Sequence, residues 1–341
     1  MSVLNRIGTI LGLTLVLLVA VAIGAGYRAL NAPLSVPDGG YTMIVPAGSS
    51  LQSLAERLSD EGILASPRTL TWYGRITGEA AQVKAGEYDV LSGTTALQLL
   101  DQLVRGRVRL HALTIVEGWT VRDLLRAIRK HPAIRQTLPR GDAARLREAL
   151  KLPSSGPEGW FFPDTYHFPR NTTDLDVLAR AHTRMALMLE QAWSRRHDNL
   201  PLKTAYEALI LASIIEKETA LDRERTQIAG VFIRRLAAGM KLQTDPTVIY
   251  GLGDNFDGNL TRRHLAQDGP YNTYARAGLP PSPISLPGAA SLLAAVQPDD
   301  SKALYFVASG NDDGSHVFSR TLKEHNAAVR RYLEISRNAS E

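Results

Sequence analysis

The sequence predicts an α+β protein behind a single apolar helix, and three observations lead to that class. An uncharged apolar run covers residues 7–27. A strand, a glycine turn and a leucine-rich helix then recur three times between residues 41 and 129. Near the C-terminus, two short strand-like runs, 304–307 and 316–318, flank a glycine-containing turn. A hairpin that follows amphipathic helices is typical of an α+β domain.

Length, charge and cysteine content narrow the classes of function. A chain of 341 residues suggests two or three domains. A formal charge of +5 suits an anionic membrane or wall polymer, and the absence of a basic run with interleaved aromatic residues argues against nucleic acid. The chain has no cysteine, which excludes disulfides, thiolate metal sites and a cysteine nucleophile. The histidines lack metal-site spacing, so we predict no metal and no cofactor.

The N-terminal run, residues 7–27, predicts a membrane anchor. It carries no charge and is bounded by Arg6 and Arg28, and a membrane span needs ~20 such residues. The alternative, a cleaved signal peptide, has a shorter apolar region of ~7–15 residues. We therefore expect a retained helix with residues 1–6 in the cytoplasm and the rest outside it, because the α-amino group adds positive charge to the N-terminal side. Residues 28–40, rich in proline and glycine, then form a linker.

The region 41–129 repeats one local pattern. Strands are predicted at residues 41–45, 86–90 and 110–116, each followed by a glycine turn, a hydroxyl residue and a leucine-rich helix. In the first copy, Ser49 stands three residues before Gln52, the spacing of a capping box. Ser66-Pro67 opens a further helix, with Ser66 as the N-cap.

The first copy, residues 41–55, resembles the opening of a LysM module. LysM modules bind glycans that contain N-acetylglucosamine, so the resemblance implies a glycan-positioning region. The alternative is a generic strand–turn–helix unit with no affinity for sugars.

Residues 130–200 are predicted to be a connecting, mostly helical region. Its most distinctive segment is 159–166, which holds four aromatic residues. These side chains either pack into the core beneath a loop or form a stacking surface for sugar rings.

The main candidate for chemistry is Glu218. Residues 209–219 form a helix-length apolar run that ends on two carboxylates. On a helix, residues three or four apart share a face, so Glu218 lies on the stripe of Ile214 and Ile215. Glu216 lies on another face, toward solvent or Lys217. Apolar surroundings and the negative end of the helix both raise a carboxyl pKa, as a general acid requires. The alternative is a surface glutamate at a fraying helix end.

Polar loops in residues 201–341 supply candidates for ligand binding. The loop 241–251 crowds glutamine, threonine and aspartate beside a proline, and Tyr271-Asn272-Thr273-Tyr274 precedes a proline-rich loop at 278–283. Such residues either form hydrogen bonds within their own turns or face a polar ligand. The candidate binding residues are Gln243, Asp245, Thr247, Tyr250, Tyr271, Asn272 and Tyr274. Motifs of serine hydrolases, zinc proteases and P-loop enzymes are absent from the sequence.

Four segments together resemble the endolytic murein transglycosylase (YceG-like) family: 212–219, 242–251, 271–274 and 278–281. The resemblance extends over nearly the whole chain and implies a C-terminal lytic transglycosylase domain at 201–341. In that family the second glutamate of the Glu-Lys-Glu-Thr motif is the single acid/base, which here is Glu218.

The implied reaction cleaves the β-1,4 bond between MurNAc and GlcNAc in nascent peptidoglycan strands, leaves 1,6-anhydro-MurNAc ends and so terminates elongation. Gln243, Tyr271 and Asn272 are the candidates for holding the sugar. The resemblance also implies a single-pass protein of the inner membrane with its C-terminal domain in the periplasm, near penicillin-binding proteins and other wall-synthesis proteins. Two alternatives stay open: a non-catalytic glycan-binding scaffold for wall synthases, and a hydrolytic muramidase with Asp245 as the partner acid.

Overall fold

The computed structural model describes residues 3–139 and 143–338. The chain separates into two compact units. The first unit contains Met1–His111 and Phe168–Asn171, and the second contains Ala112–His167 and Thr172–Glu341. The third strand–turn–helix copy therefore contributes its helix to the second unit, although the pattern of the sequence placed all three copies in one region.

The first unit is a two-stranded sheet covered by helices. Its elements are α1 (Val3–Asn31), β1 (Tyr41–Val45), α2 (Leu51–Asp60), α3 (Pro67–Ile76), β2 (Gly86–Val90), α4 (Ala96–Arg105) and the start of β3 (Leu110–Thr114). Strands β1 and β2 are antiparallel, with Tyr41 opposite Val90. Met43, Tyr88 and Val90 point into a core completed by leucines of α2, α3 and α4. The strands predicted at 41–45 and 86–90 are confirmed.

Glycine turns join the strands to the helices as the pattern predicts. Gly48, Gly93 and Gly118 all have positive φ, at 80°, 85° and 76°. Side chains other than glycine rarely adopt this conformation, which explains why a glycine recurs at the same place in each copy.

One of two predicted helix caps in the first unit is wrong, and the other is confirmed. The N-cap of α2 is Ser50, whose hydroxyl accepts a hydrogen bond from the Ser53 N–H at 3.1 Å. Ser49 still belongs to the preceding turn, since its N–H donates to the Pro46 carbonyl at 3.2 Å. Ser66 is the N-cap of α3 and Pro67 lies in its first turn, as predicted, although the Ser66 side chain makes no capping hydrogen bond.

Helix α1 contains a segment, Ile7–Asn31, that is long and apolar enough to cross a membrane, with a mean hydropathy of 2.6. The helix extends beyond the predicted end at residue 27. Residues 28–40 also differ from a free linker. Leu30 and Leu34 are each 7% exposed and join the core of the first unit, and the Leu34 N–H donates to the Thr94 carbonyl at 2.8 Å. Burial of these two leucines outweighs the loop-forming tendency of the neighbouring prolines and glycines.

The second unit is a helical body with small strand pairs. Its elements are α5 (Val121–Lys130), β4 (Ile134–Arg135), α6 (Ala143–Ala149), most of β5 (Thr165–Pro169), β6 (Thr172–Thr173), α7 (Asp174–Ser194), α8 (Ala205–Glu218), α9 (Asp222–Ala237), α10 (Asp245–Leu252), α11 (Arg262–Ala266), α12 (Ala289–Val296), β7 (Tyr305–Ala308), β8 (His316–Ser319) and α13 (Leu322–Asn338). Strands β4 and β6 are parallel, while β7 and β8 form the predicted antiparallel hairpin.

Helix α8 is the centre of the second core. Eight consecutive residues, Ala208–Ile215, are buried, and the helix packs against α7, α9, α10 and α12. A helix that is apolar on every side is a buried one. In the aromatic segment 159–166, Phe161 and Phe162 are 0% and 7% exposed, which confirms the core interpretation for these two rings.

Candidate active site

The site begins where α8 ends. Glu218 is the last residue of the helix, and Thr219 has extended backbone angles of φ −147° and ψ 140°. The Thr219 hydroxyl accepts a hydrogen bond from the Leu221 N–H at 3.0 Å, which turns the chain toward α9. The predicted helix end is therefore confirmed. It leaves the Glu218 side chain beside the loop that precedes α10.

Glu218 is a buried acid whose pKa is raised to about 7. Part of the residue reaches solvent, but protein surrounds the carboxyl group, and loss of hydration is the largest cause of the shift. The negative charge of Asp245 raises the pKa further. The Thr244 hydroxyl, which donates a hydrogen bond to Glu218 Oε1, acts in the opposite direction. The carboxyl group is therefore divided between its two protonation states near neutral pH.

Two cationic residues, Arg235 and His316, also lower the pKa of Glu218 by stabilising its ionised form. Arg235 is 7% exposed, and its guanidinium donates to the Leu242 and Leu304 carbonyls, each at 2.7 Å. His316 is held by Glu224, which accepts from the His316 N–H at 3.0 Å and lies 2.7 Å from its Nδ1. Sequence analysis missed these residues, because their partners come from distant parts of the chain.

The loop before α10 fixes the groups beside Glu218. Gln243 has a left-handed backbone, with φ 53°, a conformation that costs roughly 1–3 kcal/mol in a residue other than glycine. The Gln243 N–H donates to the Thr273 carbonyl, and the Thr244 N–H donates to Thr273 Oγ1, both at 3.1 Å. These bonds hold the strained backbone and leave the Gln243 side chain exposed next to Thr244.

Asp245 and Tyr274 form the polar edge of this site. The Tyr274 hydroxyl donates to Asp245 Oδ1 at 2.5 Å. Burial is the largest cause of a raised Tyr274 pKa, and the charges of Asp245 and Glu218 raise it further. Four predicted residues, Glu218, Gln243, Asp245 and Tyr274, thus lie around one loop.

Thr247 and Asn272 use their polar groups within the protein, and their role in ligand binding stays a prediction. Thr247 is 0% exposed, and its hydroxyl donates to the Thr244 carbonyl at 2.8 Å. Asn272 is 5% exposed, and its amide nitrogen donates to three carbonyls of residues 264–267. The Asn272 Oδ1 accepts from the N–H groups of residues 274 and 275, so the side chain is saturated. Both side chains thus hold their own loops together.

Tyr250 and Tyr271 lie in a different place from Glu218. Their rings meet edge to face, with centroids 5.0 Å apart. Both line a cavity of about 840 Å³ whose lining does not include Glu218. This cavity is therefore separate from the predicted acid, and the geometry around Glu218 is the better guide to chemistry.

Glu158 is a second acid of raised pKa that sequence analysis missed. It is 8% exposed and accepts hydrogen bonds from the Val121 N–H at 2.9 Å and the Tyr250 hydroxyl at 3.1 Å. Burial raises its pKa to about 7. Glu158 thus ties the first turn of α5 to α10. In the sequence, Glu158 stands directly before Gly159 and does not follow an apolar helical run. The pattern that drew attention to Glu218 was therefore absent.

The helical faces predicted that Glu216 faces solvent or Lys217, and this prediction is wrong. Its side chain is 6% exposed, accepts from the Gly288 N–H at 2.9 Å and lies 3.7 Å from the Arg225 guanidinium. The expectation failed because neighbouring helices enclose α8 on all sides, so the face opposite Glu218 is also internal. Lys217 instead donates to the Gly118 carbonyl at 3.3 Å.

Comparison with known proteins identifies the class to which this fold and site belong. The model of the YceG-like family matches residues 43–331. The chain therefore belongs to the YceG-like family.

Named relatives and a solved structure agree with that assignment. The chain is 31% identical over 306 residues to an endolytic murein transglycosylase of Bacillus subtilis (strain 168), covering 85% of this chain and 84% of that protein. It is 26% identical over 339 residues to an endolytic murein transglycosylase of Streptococcus pneumoniae (serotype 2, strain D39), covering 87% of this chain and 59% of that protein. A crystal structure of a YceG-like protein from Listeria monocytogenes is 30% identical, with a TM-score of 0.54, and the match covers 85% of this chain and 99% of that one.

Proposed function

We propose that this protein is a membrane-anchored endolytic transglycosylase that cuts murein glycan with Glu218 as its single general acid/base. The names of the relatives support the class of reaction. The observation that carries the assignment to Glu218 is its carboxyl group, enclosed at the end of the central helix, with a pKa of about 7. A general acid/base works best when its pKa lies near the working pH.

The proposed reaction uses the same carboxyl group twice. Protonated Glu218 gives its proton to the oxygen between MurNAc and GlcNAc as the bond from that oxygen to the anomeric carbon breaks. The resulting carboxylate then takes the proton of the MurNAc C6 hydroxyl, whose oxygen bonds to the anomeric carbon. The products are a free GlcNAc hydroxyl and a 1,6-anhydro end, and Glu218 is protonated again. No water is consumed, because the attack is intramolecular and benefits from a high effective concentration.

The surroundings of Glu218 suit both halves of this cycle. Burial and Asp245 favour the protonated carboxyl group of the first step. Arg235 and His316 favour the carboxylate between the steps, and Thr244 donates a hydrogen bond to it. In this proposal the exposed Gln243 amide and the partly buried Tyr274 hydroxyl hold sugar hydroxyls beside Glu218.

The remaining parts have supporting roles in the proposal. Helix α1 anchors the protein, and the folded part lies outside the cytoplasm, where it meets nascent strands beside the wall-synthesis proteins. The LysM-like region 41–129 positions glycan without contributing to the chemistry.

A second candidate is a hydrolytic muramidase in which Asp245 activates water. It is favoured by one observation, the carboxylate of Asp245 close enough to Glu218 to raise its pKa. Glycosidases that hydrolyse their substrate use two such acids. The two candidates differ in product mass, since an anhydro end is one water lighter than a hydrolysed end.

The test incubates the full chain, in detergent, with uncrosslinked glycan strands and analyses the new ends by mass spectrometry. We expect anhydro ends, and a loss of at least ~10²-fold in Glu218→Gln, the typical contribution of acid–base catalysis. Glu190→Gln, an exposed glutamate of α7, is the matched control and should keep its activity. Hydrolysed ends, or an active Glu218→Gln, would contradict the proposal.

A further inference from the structure

The large cavity of the second unit, described above through Tyr250 and Tyr271, has no role in the proposed chemistry. Its volume of about 840 Å³ falls within the range of small-molecule binding pockets, ~300–1,000 Å³. It lies between α5 and α10, beside Glu158. The lining residues used below are Val121, Leu125, Ile128, Arg129, Tyr250 and Ser282.

The positively charged residues of the cavity come from helix α5. Arg122 and Arg129 both line it and lie seven residues apart, which places them two turns apart on one helix face. Arg122 pairs with the Asp254 carboxylate. Arg129 is exposed and makes no ion pair with any residue in 3–139 or 143–338. Within the described part of the chain, Arg129 is thus a cation of α5 at the cavity without an ion pair.

The two acids that line the cavity accept hydrogen bonds from other groups of the protein. Asp174 is 2% exposed, and its carboxylate accepts from the N–H groups of Thr137, Leu138 and Leu175, each at 2.9 Å. The Thr137 hydroxyl also donates to this carboxylate, so groups of the protein occupy both of its oxygens. Burial raises the pKa of Glu158 to about 7, which favours its neutral form relative to an ordinary glutamate.

The other groups of the cavity suit a peptide. Val121, Leu125 and Ile128 supply apolar lining, and Tyr250, Tyr271 and Ser282 add lining residues whose hydroxyls are linked to Glu158, to each other and to the Pro283 carbonyl. A ligand that fits this pattern has small apolar side chains, amide groups and a carboxylate for Arg129. We infer that the cavity binds the acidic peptide carried by the murein glycan, with Arg129 contacting a peptide carboxylate. The inference rests on the proposed function.

The distance from the proposed catalytic site is compatible with a peptide attached to the sugar held there. Helix α10 begins at Asp245, close to Glu218, and ends at Leu252, next to the cavity-lining residues Gly251 and Gly253. A helix of eight residues is ~12 Å long. An extended peptide spans up to ~3.5 Å per residue, so three or four residues cover that length.

The first test measures binding of two soluble probes to the full chain in detergent by calorimetry. One probe is a MurNAc-containing disaccharide that carries a tripeptide with free carboxylates, and the other is the same disaccharide without peptide. We expect tighter binding of the peptide-bearing probe and a loss of about tenfold in Arg129→Gln, the typical effect of removing a hydrogen bond to a charged group. Arg126→Gln is the matched control, because Arg126 lies on the same helix, pairs with Asp123 and does not line the cavity.

The second test separates this inference from the proposed function. Cleavage is compared on uncrosslinked strands that keep their peptides and on strands from which an amidase has removed them. We expect the ratio of the two kcat/KM values to fall about tenfold in Arg129→Gln, and further in Arg129→Glu, but not in Arg126→Gln. Equal binding of both probes, or an unchanged ratio in both Arg129 variants, overturns the peptide site. A wild-type chain that releases no new ends from either polymer overturns the proposed function instead.

Discussion

Replacement of Glu218 by glutamine should stabilise the second unit at neutral and alkaline pH. The folded protein raises the pKa of Glu218 from 4.5 to about 7, so the folded state holds a proton that the unfolded state releases. Each pKa unit corresponds to 1.36 kcal/mol, which gives up to about 3 kcal/mol for this shift. The neutral amide keeps the shape of the carboxyl group without the cost of ionising it in a desolvated position.

The sign of the effect fixes its pH dependence. Because the folded-state pKa is raised, the wild-type protein loses this stability as the pH rises from about 4.5 to about 7. We therefore expect wild type and Glu218→Gln to be nearly equal in stability below that window. The free energy of unfolding of the variant should rise relative to that of wild type across the window, and the difference should stay constant at higher pH.

Thermal unfolding at a series of pH values, followed by tryptophan fluorescence, measures the difference. Three of the four tryptophans, Trp119, Trp160 and Trp193, lie in the second unit, so the signal reports chiefly on it. Glu190→Gln on the exposed face of α7 controls for the loss of a surface charge. A stability difference that does not change with pH, or a wild type that is more stable at pH above 7, would refute the burial argument.

Three further predictions concern the residues around the two raised-pKa acids. Asp245→Asn removes a charge that raises the pKa of Glu218, so the alkaline limb of kcat/KM should move to lower pH in a pH–rate profile. Loss of all activity would instead support hydrolysis. Glu216→Gln leaves the buried Arg225 guanidinium with a weaker partner and should lower unfolding free energy by about 1–3 kcal/mol. The folded fraction should keep its activity, and a folded but inactive Glu216→Gln would show that the acid assignment is wrong. Glu158→Ala leaves the Val121 N–H and the Tyr250 hydroxyl without their acceptor and should lower the free energy of unfolding in denaturant by about 1–3 kcal/mol. Glu158→Gln should lower it less. Equal losses in the two variants would argue against a role of Glu158 as hydrogen-bond acceptor between α5 and α10.

Local patterns predicted the elements well because they depend on local physics. The strands at 41–45 and 86–90, the end of α8 and the C-terminal hairpin all follow from side-chain periodicity and turn residues. The cap of α2 was mispredicted by one residue because Ser49 and Ser50 both carry a hydroxyl near the start of the helix, and only backbone geometry decides between neighbours.

The candidate site was predicted in part. Glu218 was located from an apolar run that ends in carboxylates, and its raised pKa agrees with that argument. Thr247 and Asn272 have the polar groups of ligand-binding residues, but their loops use those groups internally. A sequence gives the donors and acceptors that a loop contains without giving the direction in which they point.

By itself, the sequence determined the strands of the first unit, the C-terminal hairpin, the apolar N-terminal helix and the acid at the end of α8, since each depends on neighbours within a few positions. Only the tertiary structure decided which groups surround that acid. Arg235 and His316 reach Glu218 through the packing of α9 and β8, and Glu158 meets Tyr250 across 92 positions of the chain. The burial that raises both carboxyl pKa values depends on contacts far apart in sequence, so it follows from the packed fold and not from the local pattern.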